Sequence, residues 1–159
     1  MSRPRILVID DDPQFRSLMT AMLRKDYLVT VAADGAEGYH KAIEHAPHLA
    51  IIDVQMTGWD GLRPLRALRS CPALAKMPVM MLTGDASRQT VLATVQAGAN
   101  DYLIKMTLSR DELLKKVRRL LSLDAGHRGK TAELPVGNAT GHGADGETAA
   151  VRAIVDSWE

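Results

Sequence analysis

The chain has 159 residues, 46% hydrophobic and 25% charged, which suits one compact soluble domain with its own core plus an appendage. Its formal net charge of +1 argues against wholesale nucleic-acid binding, and its single cysteine, Cys71, excludes an intrachain disulfide and fits a reducing compartment. The apolar run Ile6–Ile9 is too short for a signal segment or a membrane span and is closed at once by Asp10–Asp12, so a cytoplasmic location is expected.

Ile6–Ile9 reads as a buried strand, and Asp12-Pro13 as a helix start with proline in the first turn. Leu18, Met19, Met22 and Leu23 recur at helical spacing behind it. Leu28–Val31 is the second strand, and Asp34-Gly35 opens a helix running to about His45. Leu49–Ile52 is the third strand and ends at Asp53. After a turn over Gly58–Gly61, Leu62, Leu65 and Leu68 mark a third helix, which tolerates Pro64 because it lies near the start. Val79–Leu82 is the fourth strand; Val91, Leu92 and Val95 give the fourth helix a buried face. Tyr102–Ile104 is a short fifth strand, and Leu113, Leu114, Val117, Leu120 and Leu121 define a closing helix. From about Asp124 the character changes: six of the chain's 12 glycines fall between Gly126 and Gly146, as expected for a flexible linker. Val151, Ile154, Val155 and Trp158 then form one stripe of a short amphipathic helix that needs a surface to dock on.

Five apolar strands, each followed by a helix, imply an α/β fold with a doubly wound parallel sheet covered on both faces. Such sheets bind ligands beyond the carboxyl ends of their strands. Asp10 and Asp11 follow the first strand, Asp53 ends the third, Thr83 the fourth and Lys105 the fifth, so all five gather at one edge. Three clustered carboxylates repel one another unless they hold a hard divalent cation. Lys105 adds a fixed positive charge, and Thr83 a hydroxyl able to donate to a phosphoryl oxygen. A carboxylate can act as a nucleophile and form an acyl phosphate, a reaction that needs mainly positioning and charge neutralisation.

Four segments carry a family resemblance: Ile6-Leu-Val-Ile-Asp-Asp-Asp-Pro13, Asp53-Val-Gln-Met-Thr-Gly-Trp-Asp-Gly61, Met81-Leu-Thr-Gly84 and Gly98-Ala-Asn-Asp-Tyr-Leu-Ile-Lys105. In this order they resemble the successive signatures of the response-regulator receiver family of two-component phosphorelay signalling, over residues 4–122. The resemblance implies a CheY-like (flavodoxin-like) five-stranded sheet of order 2-1-3-4-5. It implies that Asp53 accepts a phosphoryl group from a histidine kinase or phosphotransfer protein. Asp11, Asp53 and the Gln55 carbonyl would bind Mg²⁺ (or Mn²⁺), with Asp10 acting largely through metal-bound water. Thr83 and Lys105 would bind the phosphoryl oxygens, and Thr83 with Tyr102 would form a switch that alters the face of the fourth helix, fifth strand and fifth helix. A downstream protein partner, and a phosphorylation-dependent homodimer, belong to the same expectation. Direct binding to nucleic acid or membrane does not. The chain would catalyse its own phosphorylation and dephosphorylation rather than turn over a separate substrate. Residues 123–147 read as linker and 148–159 as a helical tail; a stand-alone regulator and a module of a longer chain both fit.

Two positions depart from the family pattern. Met106 stands where the family usually has a proline after a cis bond; a cis non-proline bond costs roughly 2.5–4 kcal/mol, so a trans bond and a looser Lys105 are expected. Thr57 also replaces a common proline. Gln55 and Asp85 sit where the family tunes phosphoryl lifetime. Simpler roles suit other residues: Asp12 as a helix cap, Trp59 as loop packing, and Lys115, Lys116, Arg118 and Arg119 as a solvated helix face. His45, His48, His127 and His142 lack metal-ligand spacing. Two alternatives remain open to the sequence. One is a phosphorylation-independent pseudo-receiver adaptor, motivated by Met106 and Thr57. The other is an aspartate-nucleophile phosphatase of the haloacid dehalogenase type, disfavoured because Gln55 stands where that family needs a second acid.

Overall fold

The computed structural model describes residues 3–56, 59–60, 62–84 and 87–129. Thr57, Asp85 and the stretch beyond residue 129 lie outside the described residues, as does the side chain of Trp59. The order of elements is β1 (Arg5–Ile9), α1 (Pro13–Leu23), β2 (Leu28–Ala32), α2 (Gly35–Glu44), β3 (Leu49–Asp53), β4 (Gln55–Met56), β5 (Trp59–Asp60), α3 (Leu62–Ser70), β6 (Val79–Thr83), α4 (Arg88–Gln96), β7 (Asp101–Ile104) and α5 (Arg110–Gly129).

Five strands form one parallel sheet in the order β2-β1-β3-β6-β7, the 2-1-3-4-5 order expected from the motifs. β3 and β6 are buried at all five positions, which is why they read as unbroken apolar runs rather than alternating ones. Successive side chains of a strand point to opposite faces, and the core divides accordingly. Ile6, Val8, Leu49, Ile51, Met80 and Leu82 pack against Met19 and Leu23 of α1 and against Leu113, Val117 and Leu120 of α5. Leu7, Ile9, Ala50, Ile52, Val79 and Met81 pack on the other side against Ala42, Leu65 and Leu68 of α2 and α3. Each fully buried aliphatic side chain contributes roughly 1.5–3 kcal/mol, so these two layers carry the fold.

Local polar groups set the helix starts. Asp12 accepts from the Gln14 N–H at 2.9 Å, the capping role expected of it. At α2, Asp34 accepts from Glu37 N at 2.8 Å while the Glu37 carboxylate accepts from Ala33 N at 2.7 Å, a reciprocal pair in the manner of a capping box. Gly38 lets α2 approach the sheet: a Cβ there would lie 2.2 Å from Cδ1 and 2.6 Å from Cγ1 of Ile9. At the opposite end of the sheet from the acids, Arg69 donates to the carbonyls of Met77 (2.7 Å) and Gly98 (2.9 Å) and to Asn100 Oδ1 (3.0 Å). Burial brings its pKa down to about 10, so it stays charged at neutral pH and ties the turn before β6 to the turn before β7.

Three features differ from or sharpen the sequence expectation. The segment after Asp53 is not only a turn, for β4 and β5 pair antiparallel as Gln55 with Asp60 and Met56 with Trp59. Helix α5 continues to Gly129, into the stretch whose glycines predict a linker at residue 123. The Lys105–Met106 bond is trans, since the described residues contain no cis peptide bond, and Lys105–Thr107 forms a single 3-10 turn. No helix among the described residues is long and apolar enough to cross a membrane.

Candidate functional site

Because β1, β3, β6 and β7 are parallel neighbours, their carboxyl ends meet at one edge. Asp10 and Asp11 follow β1, Asp53 closes β3, Thr83 closes β6 and Lys105 follows β7. Asp10, Asp53 and Thr83 are buried. One carboxylate oxygen from each of Asp10, Asp11 and Asp53 lies within 4.8 Å of the others. The Lys105 ammonium stands 2.7 Å from Asp10 Oδ2 and 3.2 Å from Asp53 Oδ2. The sheet thus brings four of the five strand-end residues into direct proximity, and Thr83 pairs in register with Ile104, the residue before Lys105.

Local backbone fixes the two buried acids. Asp10 Oδ1 accepts the Asp12 N–H at 2.9 Å, and Asp53 Oδ1 accepts the Gln55 N–H at 3.0 Å. These are short i to i+2 bonds that acidic residues form at strand ends. The Asp10 carbonyl accepts from Arg16 Nη1 at 2.7 Å, anchoring the acidic loop to α1. Each acid therefore keeps its second oxygen directed toward Lys105.

The charges are not balanced. Burial pushes the Asp53 carboxyl up to about 6; the Gln55 N–H opposes this, the Asp10 charge adds to it, and Lys105 only partly offsets the result. Burial alone would lower the Lys105 pKa, but its contacts with Asp10 and Asp53 outweigh this and raise it. Asp10 Oδ2 is buried and accepts no well-directed hydrogen bond, despite the nearby ammonium. An oxygen-rich cluster with an under-satisfied buried carboxylate fits a hard divalent cation, which takes oxygen ligands and neutralises like charges. The donor set therefore agrees with Mg²⁺ or Mn²⁺.

The surrounding residues complete the picture. Tyr102 on β7 is half-buried and packs beside the second core layer. The Lys116 ammonium lies 5.1 Å from its ring centroid, donates to the Tyr102 carbonyl at 2.8 Å, and donates to Asp101 Oδ1 at 3.2 Å. Arg119 pairs with the other oxygen of buried Asp101. Two members of the basic run on α5 are therefore engaged with the end of the sheet rather than merely solvated. The sequence reading missed Asp101, whose carboxylate occupies a buried position in the alternating pattern of β7. It also missed Phe15, whose ring centroid is 4.4 Å from the Lys105 ammonium. Phe15 is the chain's single phenylalanine, four residues after Asp11, and that placement was the available signal.

The sequence matches the response regulator receiver domain over residues 6–118. The chain belongs to the response regulator receiver family. As a receiver domain it is 37% identical over 119 residues to the DNA-binding dual master transcriptional regulator RpaA of Synechocystis, covering 74% of this chain and 49% of that protein. It is 36% identical over 119 residues to the gliding motility regulatory protein of Myxococcus xanthus, covering 74% of this chain and 15% of that protein. The receiver thus spans less than half the length of either relative. Its fold is similar to the chemotaxis protein CheY4 of Vibrio cholerae, with a TM-score of 0.71, 28% identity, and coverage of 75% of this chain and 99% of that one. A CheY-like receiver protein from Methanospirillum hungatei gives a TM-score of 0.71 at 29% identity, over 79% of this chain and 99% of that one. Receiver domains of this family accept phosphate from histidine kinases and act on downstream partners.

Proposed function

We propose that this receiver accepts a phosphoryl group on Asp53 from a histidine kinase or histidine phosphotransfer protein and thereby switches a protein partner. The observation that carries the reading is the approach of Lys105 to both Asp10 and Asp53 at the sheet edge where buried Thr83 closes β6. Asp53 attacks phosphorus, a new oxygen–phosphorus bond forms, and the phosphorus–nitrogen bond to the donor imidazole breaks with its electron pair returning to that ring. Lys105 and Thr83 hold the phosphoryl oxygens, Lys105 by charge and Thr83 by donating its hydroxyl hydrogen. Asp11, Asp53 and the Gln55 carbonyl would hold Mg²⁺ or Mn²⁺, with Asp10 beside them in the same acidic cluster. When bound, the cation neutralises charge on the transferred group and on the acids.

The switch follows from the same residues. Thr83 and Tyr102 lie on adjacent strands, so a hydroxyl drawn toward the phosphoryl group frees space for the aromatic ring to turn inward. The changed surface is the α4–β7–α5 face, which meets a downstream protein or a second copy of the chain.

A small acyl phosphate supplied with Mg²⁺ tests the chemistry. Intact-mass measurement is expected to find one added phosphoryl group on the wild type and none on Asp53→Asn. Labelling of that variant to the wild-type level would end the assignment. An unlabelled wild type that still binds Mg²⁺ would leave a phosphorylation-independent adaptor.

A further inference from the structure

We propose that Phe15 is a positioning residue for phosphoryl transfer, its ring face holding the Lys105 ammonium at the site while the carboxylates are engaged elsewhere. The inference rests on the phosphoacceptor reading above. Phe15 lies in the first turn of α1 and packs against the first core layer while remaining half-buried. Its backbone is thus fixed by the helix and its ring by the core. The Lys105 ammonium sits 4.4 Å from the ring centroid, inside the roughly 6 Å range in which a cation is drawn to an aromatic face.

Lys105 needs such a partner because its own loop holds it weakly. The following peptide bond is trans, the 3-10 turn is closed by a 3.4 Å bond from Leu108 N to the Lys105 carbonyl, and Met106 is 86% exposed. The side chain is therefore held at its tip, by Asp10, Asp53 and Phe15. Two of those three holds are carboxylates that a divalent cation or a phosphoryl group would claim. The ring coordinates neither, so its attraction for the ammonium persists as the acids change partners. Leucine at position 15 would serve core filling equally well; it would not serve this role.

The test compares Phe15→Leu, which keeps apolar volume, with Phe15→Tyr, which keeps the ring face. Rates of labelling by a small acyl phosphate at saturating Mg²⁺ are read for each, alone and in a Lys105→Gln background. Phe15→Leu is expected to slow labelling by about 3-fold to about 30-fold, with Phe15→Tyr within about 2-fold of wild type. The Leu effect should vanish in the Lys105→Gln background, which a purely structural defect would not do. Equal rates for Phe15→Leu and wild type, or a Leu effect undiminished without Lys105, would overturn the inference. The upfield ring-current shift of the Lys105 ε-methylene protons reports the contact without phosphorylation. Its absence sinks the role of Phe15 alone, whereas an intact shift with no labelling of wild type sinks the phosphoacceptor reading instead.

Discussion

Lys105 follows β7 and Asp10 follows β1, yet their charged atoms meet at 2.7 Å across the ends of β3 and β6. Neighbouring strands lie about 4.8 Å apart, so the long lysine side chain closes a gap that no short residue could. In doing so it occupies the carboxylates that a divalent cation needs.

That competition gives the first prediction. Replacing Lys105 by Met removes a positive charge from beside Asp10 and Asp53, and one charge at this range is worth on the order of 1 kcal/mol at a solvated site edge. Calorimetric titration is expected to show Mg²⁺ binding tighter by roughly 5-fold. Phosphoryl uptake should slow by at least about 10-fold because the oxygens lose their cation. Weaker Mg²⁺ binding by the variant would contradict the competition.

Asp53 supplies the pH dependence. Its folded pKa, about 6, lies above the ordinary value of 3.8, so folding disfavours the ionised form. Its favourable contribution is whole below pH 3.8 and is lost as the pH rises through about 6. The loss is on the order of 2–3 kcal/mol. In cation-free buffer, Asp53→Asn is therefore expected to raise Tm by several degrees at pH 7.5 and by about half as much at pH 5. Scanning calorimetry at the two pH values checks this, and a variant melting below wild type at pH 7.5 would refute it.

Asp101 offers a test of how α5 is fastened. Its buried carboxylate takes both Lys116 and Arg119. Those cations are partly exposed and can return to water, which limits the cost of their release. Asp101→Asn is expected to lose about 1–3 kcal/mol in urea unfolding. Amide exchange in α5 should quicken in the variant, and unaltered protection there would show that packing alone holds the helix.

Gly38 tests the packing beneath the acidic loop. A methyl group there must displace Ile9, the residue immediately before Asp10. Overpacking of this kind costs about 1–3 kcal/mol. Gly38→Ala should lower stability and weaken Mg²⁺ binding together, and adding Ile9→Val should recover part of both. A double variant no better than the single one would count against the proposed clash.

Much of this molecule could be read from its residues. The five apolar runs are continuous because the strands are covered on both faces, and the acids, threonine and lysine stand at strand ends because parallel strands put those ends together. Other features left no such trace. The β4–β5 pairing involves only two residues on each strand, too few to create a periodicity. Asp101 drew no reading of its own, since burial of its carboxylate depends on Lys116 and Arg119 arriving from a helix 15 and 18 residues onward. Phe15 drew no reading of its own: its place four residues after Asp11 was visible, but the contact with Lys105 joins residues 90 positions apart and exists only in the folded chain. The extension of α5 to Gly129 ran against the low helix propensity of Gly126 and Gly129.

The order in which the strands are synthesised has its own consequence. β1 and β3 precede β7 in the chain, so both acid-bearing strands emerge from the ribosome well before the strand that leads to Lys105. Until β7 is made, the chain carries Asp10 and Asp53 without the ammonium that approaches both in the folded protein. The last strand therefore delivers the counter-charge along with its backbone hydrogen bonds.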